Sequence, residues 1–218
     1  MAKRHPRQRE NVRADPLRAD RERASTERAI LELSGERGYA NVTIAELLAR
    51  ADSNRSRFYS SWSGKEECFA SAYCRAADDL QDRLLTAGGA SADWDSGVTA
   101  AFVELATFTA EAPSLAAGLI GEVKTVGGAA LEKRAEVFDR LARALDRGRR
   151  GLDDLEQPPP ATAAFVLHAA EASILRSLAG RGRLGEDLRG LLLLALAYYR
   201  GLPDARRTAA RLSGNAWP

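Results

Sequence analysis

Residues 43–65 read TIAELLARADSNRSRFYSSWSGK, and no other stretch constrains the fold as strongly. Ile44, Leu47, Leu48 and Ala51 recur with the spacing of one apolar face on a short helix. Thr43 and Glu46 have the spacing of a capping box. In that motif the threonine oxygen accepts a backbone N–H from the first turn, and the carboxylate accepts the N–H of the cap residue. Asp52 and Ser53 then interrupt the pattern, because both side chains compete locally for backbone hydrogen bonds and favour a turn. Asn54 suits the cap of a second helix, with Phe58 and Trp62 one turn apart on its inner face. Ser63 and Glu66 repeat the capping-box spacing and start a third helix at once. Two short helices joined by a tight turn bury little, so what such a unit offers is its outer face.

That face carries Arg55, Ser56, Arg57, Tyr59, Ser60 and Ser61. Guanidinium forks match guanine edges and phosphates, and hydroxyls match phosphate oxygens. The piece 54–61 is therefore predicted to be a recognition helix for a DNA major groove. A merely solvated face on a small helical domain would use the same residue types. Charge favours the first reading. Residues 1–66 hold 14 Lys+Arg and 10 Asp+Glu, a net +4, while the remaining 18 and 20 give −2. Positive charge thus gathers where phosphates would be met.

The segment ERAILELSGERGYANVTIAELLARADSNRSRFYSSWSGKEECFASAY resembles the N-terminal DNA-binding region of the TetR family of transcriptional regulators. The resemblance runs from about residue 26 to residue 73, roughly a quarter of the chain. Its most specific parts are Gly38-Tyr39, then Thr43 through Leu47, then Phe58-Tyr59, Trp62 and Lys65-Glu66-Glu67. It implies that Thr43, Tyr59 and Lys65 touch operator phosphates and that Trp62 packs inside. The turn departs from the family's usual Ala-Gly-Val-Ser, reading Ala51-Asp52-Ser53-Asn54 here. Asp52 must manage without glycine's freedom at positive φ. Ser53 replaces an inward apolar residue, and Arg57 replaces a small one. The candidate DNA-binding set is Thr43, Asn54, Arg55, Ser56, Arg57, Tyr59, Ser60 and Lys65.

Elsewhere the chain is rich in Ala, Leu, Arg and Glu and shows no useful strand-like alternation, so an all-α fold is expected. Residues 1–20 read as a disordered basic arm, 21–76 as the helix-turn-helix domain and 77–218 as a ligand-binding and dimerisation domain. Helices are expected at 21–37, 65–87, 96–111, 114–124, 129–147, 161–179 and 186–200, with a short one at 204–212. Pro158-Pro159-Pro160 marks a stiff connector, and Trp217 sits near the end. The basic N-terminus lacks the apolar core of a signal peptide, and no apolar run approaches the ~20 residues that span a bilayer, so a cytoplasmic protein without membrane partners is expected. Cys68 and Cys74 point to different sides of one predicted helix, so no disulfide is expected between them.

Little suggests catalysis. Gly180-Arg-Gly182-Arg-Leu-Gly185 matches a dinucleotide fingerprint literally, but a helix precedes it where a strand is needed, so it reads as a loop. The histidines are His5 and His168 alone, which leaves no metal cluster and no Ser-His-Asp triad; no catalytic residue, metal or cofactor is expected. Phe102, Phe108, Phe138 and Phe165, with Trp94, are candidates to wall a small-molecule pocket, and His168 with Glu171 to supply polar contacts. Aromatic residues at helical spacing are individually more often core. The cavity itself is implied by the resemblance. Helices 161–179 and 186–200 are apolar almost all round, which predicts burial against a second copy of the chain. A symmetric dimer spaces two readers about 34 Å apart, matching a nearly palindromic operator. The expectation is a homodimeric, ligand-responsive repressor that binds double-stranded DNA and an unknown small molecule. The alternative is a helical small-molecule-binding or interaction protein that has lost specific DNA binding.

Overall fold

The computed structural model describes residues 16–149 and 157–212. Among them the chain is α-helix with two short 3-10 turns, Tyr39–Asn41 and Asp146–Arg149, and connecting turns. The helices are α1 (Pro16–Arg37), α2 (Ile44–Arg50), α3 (Arg55–Ser61), α4 (Lys65–Gly89), α5 (Trp94–Glu111), α6 (Pro113–Gly121), α7 (Val123–Val126), α8 (Gly128–Leu145), α9 (Thr162–Leu178), α10 (Leu184–Arg200) and α11 (Leu202–Leu212). Most of the expected arm, with His5, and Trp217 lie outside the described residues.

Helix α1 starts at Pro16, five residues earlier than its apolar pattern predicts. Proline is at home in a first turn, where its missing N–H has no partner to lose. A charge ladder runs along the helix, and its first rung, Arg18–Glu22, reaches into the extension. Arg18–Glu22, Arg23–Glu27 and Arg28–Glu32 pair at 3.0, 3.3 and 2.6 Å, each four residues apart. Apolar periodicity does not register such a ladder. The helix ends where Gly38 takes a φ of 83°, and a single 3-10 turn, Tyr39–Asn41, leads on.

Ile30, Leu33, Leu47, Phe58, Trp62 and Phe69 form the centre of a first core among α1 to α4. A second core joins α5, α9 and α10 through Phe102, Val166, Leu188, Leu192, Leu196 and Tyr199. Helix α4 is long enough to serve both ends, packing on α1 at its start and on α5 and α8 further along. The expected helix 114–124 is two helices, because the chain bends at Glu122. That carboxylate accepts the Tyr39 backbone N–H at 2.8 Å, which ties the second part of the chain to the first. The 180–185 glycine motif is the turn between α9 and α10 with a short entry into α10, and Gly180 has a φ of 69°.

Candidate nucleic-acid interface and the cavity behind it

The capping box at α2 forms as its sequence requires. The Thr43 Oγ1 accepts the Glu46 N–H at 3.2 Å, and Glu46 Oε2 accepts the Thr43 N–H at 3.0 Å. Those bonds from Thr43 hold the Glu46 carboxyl below the usual carboxylate range, with Arg37 adding to the effect. The turn that follows places Asp52 at φ 49°, the left-handed conformation that a glycine would take without strain. Asn54 then caps α3 by accepting the Arg57 N–H at 3.1 Å. Ser63 does not pair with Glu66. Its N–H and Oγ both donate to Glu67, at 2.7 and 2.6 Å, because Gly64 takes the cap position of α4 and shifts the box by one residue.

Phe58 and Trp62 are buried, with ring centroids 5.4 Å apart, and this fixes which side of α3 faces out. Arg55, Ser56, Arg57, Tyr59 and Ser60 are exposed on that side, as are Thr43 and Asn54 beside it. The cations differ in how free they are. Arg55 has no ion pair among the described residues, whereas Arg57 Nη1 lies 2.9 Å from Glu22 Oε1 of α1. Ser60 Oγ donates to the Arg57 carbonyl at 2.7 Å. Lys65 departs most from its expected role. Its ammonium donates to the carbonyls of Tyr39 and Val42, at 2.9 and 2.8 Å, and sits 4.2 Å from the Tyr39 ring centroid. Lys65 therefore secures the link between α1 and α2, with at most one N–H left for a phosphate.

Behind this unit α4, α5, α6, α8 and α9 enclose an inner chamber of about 110 Å³. It shares Leu84, Leu105, Leu141, Leu167 and Ala170 with an outer chamber of about 410 Å³ that extends to Trp94. Among the expected pocket aromatics, Phe138 lines the inner chamber and Phe102 the outer one. Two need correction. Phe108 lines neither chamber and packs in the first core, because that face of α5 turns toward Arg83 and the DNA-binding end. Phe165 points away from the cavity and is 69% exposed, because α9 directs Val166 and Ala170 inward instead. His168 also needs correction: it lines neither chamber, and its half-exposed ring stands 5.1 Å from that of Phe138, whose own ring lies on the inner wall.

Arg134 holds the polar end of the inner chamber. Its Nε and Nη2 donate to the two oxygens of Glu171 at 3.0 and 2.7 Å, and Lys124 Nζ reaches Glu171 at 3.3 Å. Burial alone raises the Glu171 pKa, but Arg134 and Lys124 together outweigh it and hold the carboxyl below its ordinary value. Sequence reasoning missed Arg134 and Gln81. Their signal was positional: Arg134 falls on the stripe Ala130, Val137 and Leu141, and Gln81 falls between Ala77 and Leu84.

A helix-turn-helix backed by a first helix and joined to a larger helical domain defines a DNA-binding transcription regulator. Residues 28–72 match the family described as bacterial regulatory proteins, tetR family. That match covers the helix-turn-helix end of the chain, and regulators of that family are in general non-enzymatic. Comparison with curated proteins finds no match. Among solved structures, a TetR family transcription regulator from Marinobacter aquaeolei VT8 is 19% identical, with a TM-score of 0.68 over 84% of this chain and 97% of that one. The fatty acid degradation regulator FadR from Bacillus halodurans is 15% identical, with a TM-score of 0.67 over 82% and 98%. RolR in complex with the ligand resorcinol is 18% identical, with a TM-score of 0.59 over 94% and 98%. At these identities the likeness is one of fold.

Proposed function

We propose that the protein is a ligand-responsive repressor that binds a nearly palindromic operator as a symmetric dimer. The carrying observation is the outer face of α3, where Arg55, Ser56, Tyr59 and Ser60 are exposed together on a helix locked by Phe58 and Trp62. Arg55 and Arg57 read base edges or adjacent phosphates, and Thr43, Tyr59 and the remaining N–H of Lys65 position the backbone. The dimer forms through α9 and α10. Their outward faces leave Phe165, Leu194 and Tyr198 more than half exposed in the single chain, which supports burial by a second copy. The effector occupies the cavity among α4, α5, α6, α8 and α9 and favours a dimer whose reading helices no longer match the groove spacing. RolR, similar in fold, was found with a small ligand, which supports this reading. A protein that reads chromosomal DNA in this way works in the cytoplasm.

A gel-shift titration with the DNA flanking the protein's own gene tests the proposal. A specific complex whose affinity falls steeply with salt is expected. A protein that shows no preference for that DNA over random sequence would instead be a binding protein without an operator.

A further inference from the structure

We infer that the cavity is built for an apolar monocarboxylate, whose carboxylate meets Tyr73 and Arg134 and whose hydrocarbon body runs through the inner chamber toward the outer one. This inference rests on the reading of the cavity as an effector site.

Charge decides the sign of the head group. Glu171 is the carboxylate of the inner chamber, and it is already held by Arg134 in a two-point contact and by Lys124. Lys124 meets Glu171 from outside the chamber, its side chain 58% exposed, so the cluster holds two cations against one carboxylate and Arg134 is the cation that lines the wall. A cationic ligand would find its counter-ion taken and the Arg134 guanidinium beside it. An anionic head completes the balance, and Arg134 still has donors to offer, since Nε and Nη2 account for its contacts with Glu171.

Two buried polar side chains point the same way. Tyr73 is 5% exposed and lines the inner chamber, yet its hydroxyl makes no hydrogen bond among the described residues. Gln81 lies two turns along the same helix and is 2% exposed. Its one hydrogen bond among the described residues, to Asp82, is stretched to 3.5 Å. Polar groups buried this deeply are normally paired, and leaving them unpaired is unfavourable. A hydroxyl that opens onto a cavity beside Arg134 is a donor awaiting an acceptor. The remaining wall is Leu, Ile, Val, Ala and Phe, which offers nothing to a second polar group.

Size sets the shape of the body. At about 110 Å³ the inner chamber is comparable with the ~150 Å³ cavity known to hold a benzene ring. It holds a head group with a few methylenes. Anything longer continues past Leu84, Leu105 and Leu141 into the outer chamber.

Calorimetric titration of the full-length protein with octanoate, octan-1-ol and acetate separates head from tail. Octanoate should bind at least about tenfold more tightly than octan-1-ol, the gain from one charge-assisted contact. Acetate should give no measurable binding. Tyr73→Phe should weaken octanoate about fivefold and leave octan-1-ol unchanged, and Arg134→Gln should abolish the preference for the acid. Octan-1-ol binding as well as octanoate, no octanoate binding at millimolar concentration, or a Tyr73→Phe protein with unaltered octanoate affinity would each overturn the inference. Should the Arg134→Gln protein not fold, the Tyr73→Phe comparison decides alone. Operator release, measured in parallel, keeps the two readings apart. Octanoate that binds without weakening DNA binding removes the effector role but keeps the ligand class. Octan-1-ol that releases DNA while octanoate does not keeps the effector role and removes the class.

Discussion

Gly35 of α1 and Gly118 of α6 meet backbone to backbone. A Cβ on Gly35 would lie 1.9 Å from the Ser114 carbonyl oxygen, and one on Gly118 would lie 1.9 Å from that of Leu31. No flexible side chain stands in either path, so the helices must separate if either residue gains a methyl group. The next two residues of α6, Leu119 and Ile120, line the inner chamber. The cavity wall and the crossing onto the DNA-binding unit thus occupy one turn of one helix. Gly118→Ala is expected to lower stability by about 1–3 kcal/mol, the usual effect of overpacking. Gly35→Ala should do the same, and the double variant should lose less than the sum because both relieve one crossing. Gly89→Ala, whose Cβ would meet nothing within 4 Å, serves as the control and should gain about 0.5–1 kcal/mol. Urea unfolding midpoints check all four.

The two arginines of α3 should not contribute equally to DNA affinity. Arg55 is uncommitted, while Arg57 must first leave Glu22, which lies 2.9 Å away on α1. That pair is partly exposed and such pairs are worth about 0–1 kcal/mol, so a phosphate or a guanine edge can displace it. Arg55→Ala is expected to weaken operator binding by about 1–3 kcal/mol, and Arg57→Ala by roughly 1 kcal/mol less. Glu22→Gln should tighten binding, most visibly at low salt, by freeing Arg57 and removing a negative charge from the DNA-facing end. Titrations at two salt concentrations, with thermal unfolding showing the fold intact, give the ranking. Equal losses from the two alanine variants would show that the Glu22 contact does not restrain Arg57 on DNA.

How much of this was legible in the sequence depended on whether the signal was local. The α2 box, the Asn54 cap and the inward Phe58 and Trp62 follow from neighbours within one turn, and each forms as expected. The start of α1 was placed five residues late because residues 16–20 carry no apolar spacing, and the ion pair that reaches into them, Arg18–Glu22, leaves no apolar signal. Lys65 was placed facing outward because no short-range pattern reveals two carbonyls more than twenty residues away. Phe165 was assigned to the pocket by residue type, although which side of α9 faces the cavity is settled only by packing against α8 and α10. The apolar stripes of α4 and α8 did contain the cavity's polar groups, Gln81 and Arg134, at positions a core residue would normally fill.

Asp52 offers a direct measure of strain at the centre of the helix-turn-helix. At φ 49° an aspartate is disfavoured relative to glycine, and a residue without a short polar side chain more so. Asp52→Gly is expected to stabilise the protein by up to about 1 kcal/mol, the relief of strain being partly offset by the freer unfolded chain. Asp52→Ala should destabilise it by about 1 kcal/mol. Both are read as shifts of the urea midpoint at constant slope. An alanine variant as stable as the parent would show that the turn relaxes to another conformation.

The capping box of α2 should make the DNA-binding unit sensitive to acid in a defined window. Glu46 is held below its ordinary pKa of 4.5, first by the Thr43 backbone N–H, then by the Thr43 hydroxyl, with Arg37 adding to both. A carboxyl whose pKa is depressed in the folded state binds fewer protons there than in the unfolded chain. Its contribution is therefore fully present above about pH 4.5 and is lost as the pH falls through the folded-state value. Glu46→Gln removes the titration while keeping a side chain that can still accept from the cap. The parent should be more stable than this variant by a constant margin above about pH 5.5, and the margin should close below pH 4.5. Thermal midpoints of the two proteins, taken from pH 3 to pH 7, trace that margin directly. A gap that persists undiminished at pH 3 would mean that the amide is simply a poorer fit, and that ionised Glu46 does not hold the start of α2.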